Sequence, residues 1–130
     1  MYAAAHALQR FYGPLLKPLG LTYVQYLVLL VLWEADDRTV GQIGRRLYLD
    51  SGTLTPVLRR LERLGVVSRS RAVDDEREVR IRLSPAGVRL ERELAAVRSA
   101  IACRGALEPA VFAKLRDELQ ALRARFATDS

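Results

Sequence analysis

The spacing of apolar residues along this chain changes period once and then changes back. Val57, Leu58, Leu61 and Leu64 recur at helical spacing, whereas Val79, Ile81 and Leu83 alternate strictly with Arg80 and Arg82. The first pattern lays a stripe along a helix of 3.6 residues per turn; the second builds one face of a strand. Residues 66–71 read as the partner strand, and Ala72 to Arg77 (A-V-D-D-E-R) as a polar hairpin tip. From Ser84 onward the helical spacing returns. A two-stranded ribbon is marginal by itself, so it must pack on the helices around it. The architecture is therefore mainly α (α+β), with a single hairpin set among helices.

The remaining elements follow from local signals. Leu8, Phe11, Tyr12, Leu15 and Leu16 lie at helical spacing, with a kink or helix end near Gly13-Pro14. Thr22 caps an apolar helix over 23–35, Asp36 to Thr39 form a turn, and Thr39 caps a short helix over 40–46. The segment D-S-G-T-L-T-P-V-L-R-R-L-E-R-L-G (50–65) opens with cap-competent residues and becomes a basic helix. Pro56 would clash with the Gly52 carbonyl in a regular helix, so that helix starts at Gly52 or Thr53 or has a distorted first turn. Gly65 is the expected C-cap. Ser84-Pro85 opens a long helix to about Arg104, and a last helix carries Val111, Leu115, Leu119, Leu122 and Phe126 on one stripe.

Helix, basic helix and hairpin in that order form a winged helix-turn-helix, in which the second helix enters the major groove. Charge supports a nucleic-acid partner. The net charge is +6, and of 21 basic residues only Lys17 and Lys114 are lysine. Between Gly41 and Arg82 ten arginines face six acids, a balance of +4. Small hydroxyl side chains at the start of the basic helix allow close approach to base edges and phosphates. Ser51, Thr53 and Thr55 are the candidates for base or phosphate contact, and Arg59 and Arg60 for electrostatic contact. In the hairpin tip Arg77 suits a minor groove. Asp75 can orient it, although Asp74, Asp75 and Glu76 repel phosphate, and a self-neutralising solvated turn is the alternative.

Other classes find little support. The 130-residue chain fits one domain. Its longest apolar run, Tyr26 to Trp33, is too short to span a bilayer, so no membrane is expected. The N-terminus shows no leader pattern, and the single cysteine, Cys103, fits a cytoplasmic setting. Cys103 is otherwise read as a small buried hydrophobe, and His6 as a plain helix residue. Without a nucleophile–base set, a Gly-rich phosphate loop or metal-ligand spacing, the chain is not expected to be an enzyme or to carry a cofactor or metal.

L-Y-L-D-S-G-T-L-T-P-V-L-R-R-L-E-R-L-G, D-D-E-R and L-S-P-A-G together closely resemble the MarR family of dimeric winged-helix repressors. The stretch L-L-K-P-L-G-L-T-Y-V-Q-Y-L-V-L-L-V-L-W-E narrows the resemblance to the branch that senses organic hydroperoxides, the OhrR-like proteins. The resemblance implies a homodimer on double-stranded DNA at a pseudo-palindromic operator, with an organic hydroperoxide as inducer. It implies a DNA-binding lobe over 21–83 and dimerisation helices over 1–20 and 84–130, in one domain over 1–130. Ser51, Thr53 and Thr55 match the contacting turn of the recognition helix, and Asp75 with Arg77 match the wing pair. Tyr12 and Tyr23 match tyrosines that hydrogen-bond the reactive cysteine, Tyr2 matches a third aromatic near it, and Cys103 matches the resolving cysteine of an intersubunit disulfide. The reactive cysteine itself belongs four residues before Tyr2, ahead of Met1. An N-terminal truncation or misplaced start is the expectation, with natural loss of peroxide sensing the alternative. A repressor gated by a small apolar or phenolic ligand, and a non-specific architectural DNA-binding protein, are the other readings.

Overall fold

The computed structural model describes residues 2–71, 78–105 and 108–127. The chain divides into two compact units, residues 1–97 and 98–130. The first unit holds α1 (Tyr2–Leu16), a 3-10 turn (Lys17–Leu19), α2 (Tyr23–Glu34), β1 (Arg38–Thr39), α3 (Val40–Leu47), α4 (Ser51–Arg63), β2 (Val67–Arg71), β3 (Val79–Leu83) and α5 (Pro85–Glu93). α6 (Ala95–Gly105) begins at its end, and the second unit continues through α7 (Pro109–Phe126). This is the winged helix-turn-helix arrangement expected from the sequence.

Caps set the helix boundaries. Thr22 and Thr39 each accept from the backbone N–H three residues on, while Gln25 and Gln42 reach back to the cap N–H, making two reciprocal capping boxes. Ser84 caps α5, with Pro85 at its first position. The end of α4 is closed by Gly65 at φ +77, with Gly65 N–H donating to Glu62 and Val66 N–H to Leu61. That pair of bonds satisfies two end carbonyls and turns the chain into β2.

The core is drawn from every element around the helix-turn-helix. Leu16, Tyr26, Val28, Leu29, Leu32, Ile43, Leu54, Leu58, Leu61, Ile81 and Leu94 are fully buried. α2 is covered on most sides, as its continuous apolar run requires. Two tight contacts lock the packing. A Cβ at Gly44 would sit 2.6 Å from the Leu49 carbonyl oxygen, so this glycine lets the turn between α3 and α4 fold back on α3. A Cβ at Gly87 would sit 2.1 Å from the Val66 carbonyl oxygen.

The structure corrects several expectations. Residues 38–39 are not part of a turn but a short strand, β1, which pairs antiparallel with β3; the sheet order is β1-β3-β2. α4 starts at Ser51, one residue before the earlier of the two expected starts, because Asp50 caps it; Pro56 lies inside the helix, which leaves the expected alternative of a distorted first turn open. Its buried stripe is Leu54, Leu58 and Leu61, while Leu64 is exposed at the C-cap. The long helix from Pro85 is broken at Leu94 (φ −90, ψ 0), where Val97 N–H donates to the Leu94 carbonyl. Leu90, Leu94 and Val97, spaced so as to share one helical face, are all buried across the break.

In the second unit, α7 exposes Val111, Leu115, Leu119 and Phe126. No single helix among the described residues is long and apolar enough to cross a membrane.

Candidate nucleic-acid interface

α4 is amphipathic in a way that fixes what it offers to a partner. Burying Leu54, Leu58 and Leu61 leaves Ser51, Thr53, Arg59 and Arg60 exposed, with Thr55 half-buried at the edge. The first turn is tied internally. The Asp50 carboxylate accepts from Thr53 N–H at 2.7 Å. Hydrogen bonds from the Thr53 hydroxyl, and then from its N–H, hold the Asp50 carboxyl below its ordinary value of 3.8. The Thr55 hydroxyl donates to the Ser51 carbonyl at 2.7 Å. Of the five α4 residues singled out from the sequence, the hydroxyls thus sit in the first turns and the guanidinia farther along the helix, spread around its unburied side.

Beside this surface stands the hairpin of β2 and β3. Asp75 and Arg77, assigned to its tip, lie outside the described residues. An open cleft of about 330 Å³ lies between the start of α3, Thr55 of α4 and the hairpin, lined by Thr39, Val40, Gly41, Thr55, Arg69, Glu78 and Val79. The Nε of Arg69 is buried, with no hydrogen-bond partner among the described residues. Such a donor is costly to leave unmatched. Sequence reasoning passed over Arg69, although strand alternation places it on the same face as buried Val67.

The base of the hairpin is held by the turn before β1. The Asp36 carboxylate accepts from Leu83 N–H at 2.9 Å and from Asp37 N–H at 2.7 Å. Asp37, at φ +57, lies 3.1 Å from Arg82 Nε and 3.4 Å from Arg80 Nη1. Its carboxyl is lowered from 3.8, first by the hydrogen bond from Arg82, with further pull from the charges of Arg82 and Arg80. The sequence marked these two acids only as turn residues.

A second constellation is aromatic. Tyr12 of α1 meets Tyr23 and Tyr26 of α2, with ring centroids 5.1 and 5.4 Å apart, and Tyr26 continues to Trp33 at 6.3 Å. Burial, then the neighbouring Tyr26 and Tyr23, pushes the Tyr12 hydroxyl up to about 12, and burial raises Tyr23. Both are neutral hydrogen-bond donors at ordinary pH. Tyr26 was read as helix core; its spacing of three from Tyr23 is the signal that it belongs to the cluster. Tyr2 stands apart from these rings. It is 82% exposed and stacked on His6 at 5.7 Å, ten residues before Tyr12, about 15 Å along the helix. In the second unit Cys103 is an exposed free thiol, not a buried hydrophobe.

Comparison with known proteins places this geometry. The family model for the transcriptional regulators SarA/Rot matches residues 10–94. The organic hydroperoxide resistance transcriptional regulator of Bacillus subtilis is 47% identical over 93 residues, 72% of this chain and 63% of that protein. The HTH-type transcriptional regulator TtmR of Methylorubrum extorquens is 59% identical over 87 residues, 67% of this chain and 45% of that protein. The chain thus spans less than two thirds of either relative. Among solved structures, overoxidized AbfR bound to DNA superposes with a TM-score of 0.78 at 38% identity, covering 97% of this chain and 88% of that one; AbfR is a protein of Staphylococcus epidermidis.

Proposed function

The chain belongs to the SarA/Rot family of transcriptional regulators, and on that premise we propose that it is a sequence-specific DNA-binding repressor acting as a homodimer on a pseudo-palindromic operator. The observation that carries this reading is the exposed face of α4, hydroxyls at its first turn and Arg59 and Arg60 behind, standing beside a hairpin. A recognition helix meets base edges with its N-terminal turn. Ser51 and Thr53 supply short polar side chains there, Thr55 offers its methyl and oxygen lone pairs, and the arginines reach the flanking backbone. Asp75 and Arg77 extend the same logic to the minor groove. The apolar residues exposed on α7 supply a dimer contact, and a two-fold dimer presents two α4 helices about 34 Å apart, one helical turn of DNA.

The signal in this reading is an organic hydroperoxide, in keeping with the 47% identity to the Bacillus regulator. In a form that carries a cysteine four residues before Tyr2, its thiolate would attack the peroxide, taking the terminal hydroxyl to become sulfenic acid while the alkoxide leaves and takes up a proton as the alcohol. A second thiol, the role read for Cys103, then condenses with it to a disulfide and water. Tyr12 and Tyr23, neutral donors meeting at 5.1 Å, fit the stabilisation of a thiolate. A repressor works where the DNA is, which in this reading is the cytoplasm.

The DNA reading is tested by selecting duplexes from a randomised pool and titrating them by fluorescence anisotropy. A palindromic site bound about 10³-fold or more tightly than scrambled sequence is expected; equal affinity for both would leave an architectural protein instead. For the signal, DNA release under cumene hydroperoxide is compared between this chain and a form extended upstream to carry a cysteine four residues before Tyr2. Release of the extended form supports oxidative gating, and release of neither removes it.

A further inference from the structure

Arg80 and Arg82 lie on the hairpin beside the surface offered to DNA, yet both are turned toward a carboxylate. Arg82 Nε approaches Asp37 Oδ1 at 3.1 Å and Arg82 Nη2 donates to Oδ2 at 3.3 Å. Arg80 Nη1 lies 3.4 Å from Oδ1 and donates to the Asp37 main-chain carbonyl at 3.2 Å. The neighbouring residues grip the same strand: Asp36 accepts from Leu83 N–H, and Arg38 and Thr39 pair with Ile81 and Arg80. Four consecutive residues, 36–39, therefore hold residues 80–83.

Neither of two simple explanations accounts for this arrangement. An acid near a phosphate-binding face lowers affinity by repulsion. Partly exposed ion pairs add little stability, and here the side chains of Asp37, Arg80 and Arg82 are 40%, 35% and 59% exposed. Asp37 also holds a left-handed backbone conformation that aspartate and asparagine tolerate best. What the clasp does achieve is mechanical. It ties β3 to the turn that leads directly into α3, and α3 packs on α4.

We propose that Asp37 is a positioning residue for DNA recognition: by holding Arg80 and Arg82 it fixes the hairpin against α3 and α4, so that helix and hairpin engage the duplex in one register. The inference rests on the DNA-binding reading above and adds a residue to it that touches no DNA.

The sign of a charge effect separates positioning from electrostatics. Asp37→Asn removes the carboxylate charge while suiting the left-handed backbone. By charge alone it tightens binding to every duplex, and it frees two guanidinia that steepen the salt dependence. Loss of positioning instead weakens the selected palindrome while scrambled DNA binds as well or better, so the specificity ratio falls at least tenfold. Both affinities are measured by anisotropy at several salt concentrations, with thermal melts recorded to place every variant well below its midpoint. Arg82→Gln opens the clasp from the strand side and gives the same fall if Asp37→Asn does not fold. Asp37→Glu, which keeps the charge, restores part of the ratio. An unchanged ratio in folded Asp37→Asn or Arg82→Gln overturns the proposal alone; a parent chain without preference for any duplex overturns the DNA reading beneath it.

Discussion

Gly87→Ala is expected to be among the most damaging single-methyl additions to this protein. The new Cβ falls 2.1 Å from the Val66 carbonyl oxygen, 3.1 Å from its carbon and 3.2 Å from Leu83 Cδ2. An ordinary carbon–oxygen contact is about 3.3 Å or more, so α5 must retreat by roughly 1 Å from the junction between α4 and β2. Two hydrogen bonds cross that gap, Ser84 N–H to Val66 at 3.0 Å and the Ser84 hydroxyl to Gly65, and a third, Trp33 Nε1 to the Gly87 carbonyl at 3.0 Å, ties α5 to α2. Overpacking against backbone costs about 1–3 kcal/mol, and each bond weakened adds up to about 1 kcal/mol. A loss of about 2–4 kcal/mol follows, a large share of the roughly 5–15 kcal/mol available to a domain. Urea unfolding followed by the single tryptophan, Trp33, reports on the contact itself. With a slope of about 1–2 kcal/mol/M the midpoint falls by about 1–4 M at fixed protein concentration. A midpoint unchanged from the parent would mean the junction yields freely and that the close approach constrains nothing.

Other expectations follow from the same coordinates. Arg59→Ala and Arg60→Ala together lower the slope of log affinity against log salt by about 2, for two phosphate contacts removed; an unchanged slope takes those residues off the DNA. Leu119→Asp, on the exposed apolar face of α7, shifts the protein to monomer in sedimentation velocity, and persistence of a dimer excludes that face from the interface. Asp37 and Asp50 both have carboxyls lowered below 3.8 in the folded chain. Their contribution to stability is therefore complete above that value and lost as pH falls through the lowered values. The melting temperature should drop below about pH 4, where the unfolded carboxylates take up protons, and Asp37→Asn with Asp50→Asn should flatten that decline.

What the sequence disclosed, and what it withheld, divides by range. Thr22, Thr39 and Ser84 were readable as caps because a cap satisfies backbone groups within three residues, and Gly65 because a left-handed turn selects glycine locally. The hairpin announced itself through the alternation of Val79, Ile81 and Leu83. β1 did not, since two residues carry no period and their pairing depends on a strand some forty positions later. The break at Leu94 has no glycine or proline to mark it, and Leu90, Leu94 and Val97 would share one face of an unbroken helix just as well, so their spacing gives no sign of it. At the candidate interface the hydroxyls and arginines of α4 were legible from amphipathicity. The Asp37 clasp and the inward Arg69 were not, because which charges face each other is decided by folding. Tyr12 and Tyr23 were linked only through family resemblance, and it is the packing of α1 on α2 that brings their rings together.

The two short ties in the first turn of α4, Asp50 to Thr53 and Thr55 to Ser51, carry a thermodynamic consequence. Ordering a side chain at an interface forfeits about 0.5–1.5 kcal/mol, and here that entropy is surrendered during folding, before any duplex arrives. A preorganised surface of this kind gains affinity for the sequence it matches. It is also too stiff to rearrange around a mismatched base pair, so discrimination between near-identical sites should be steep.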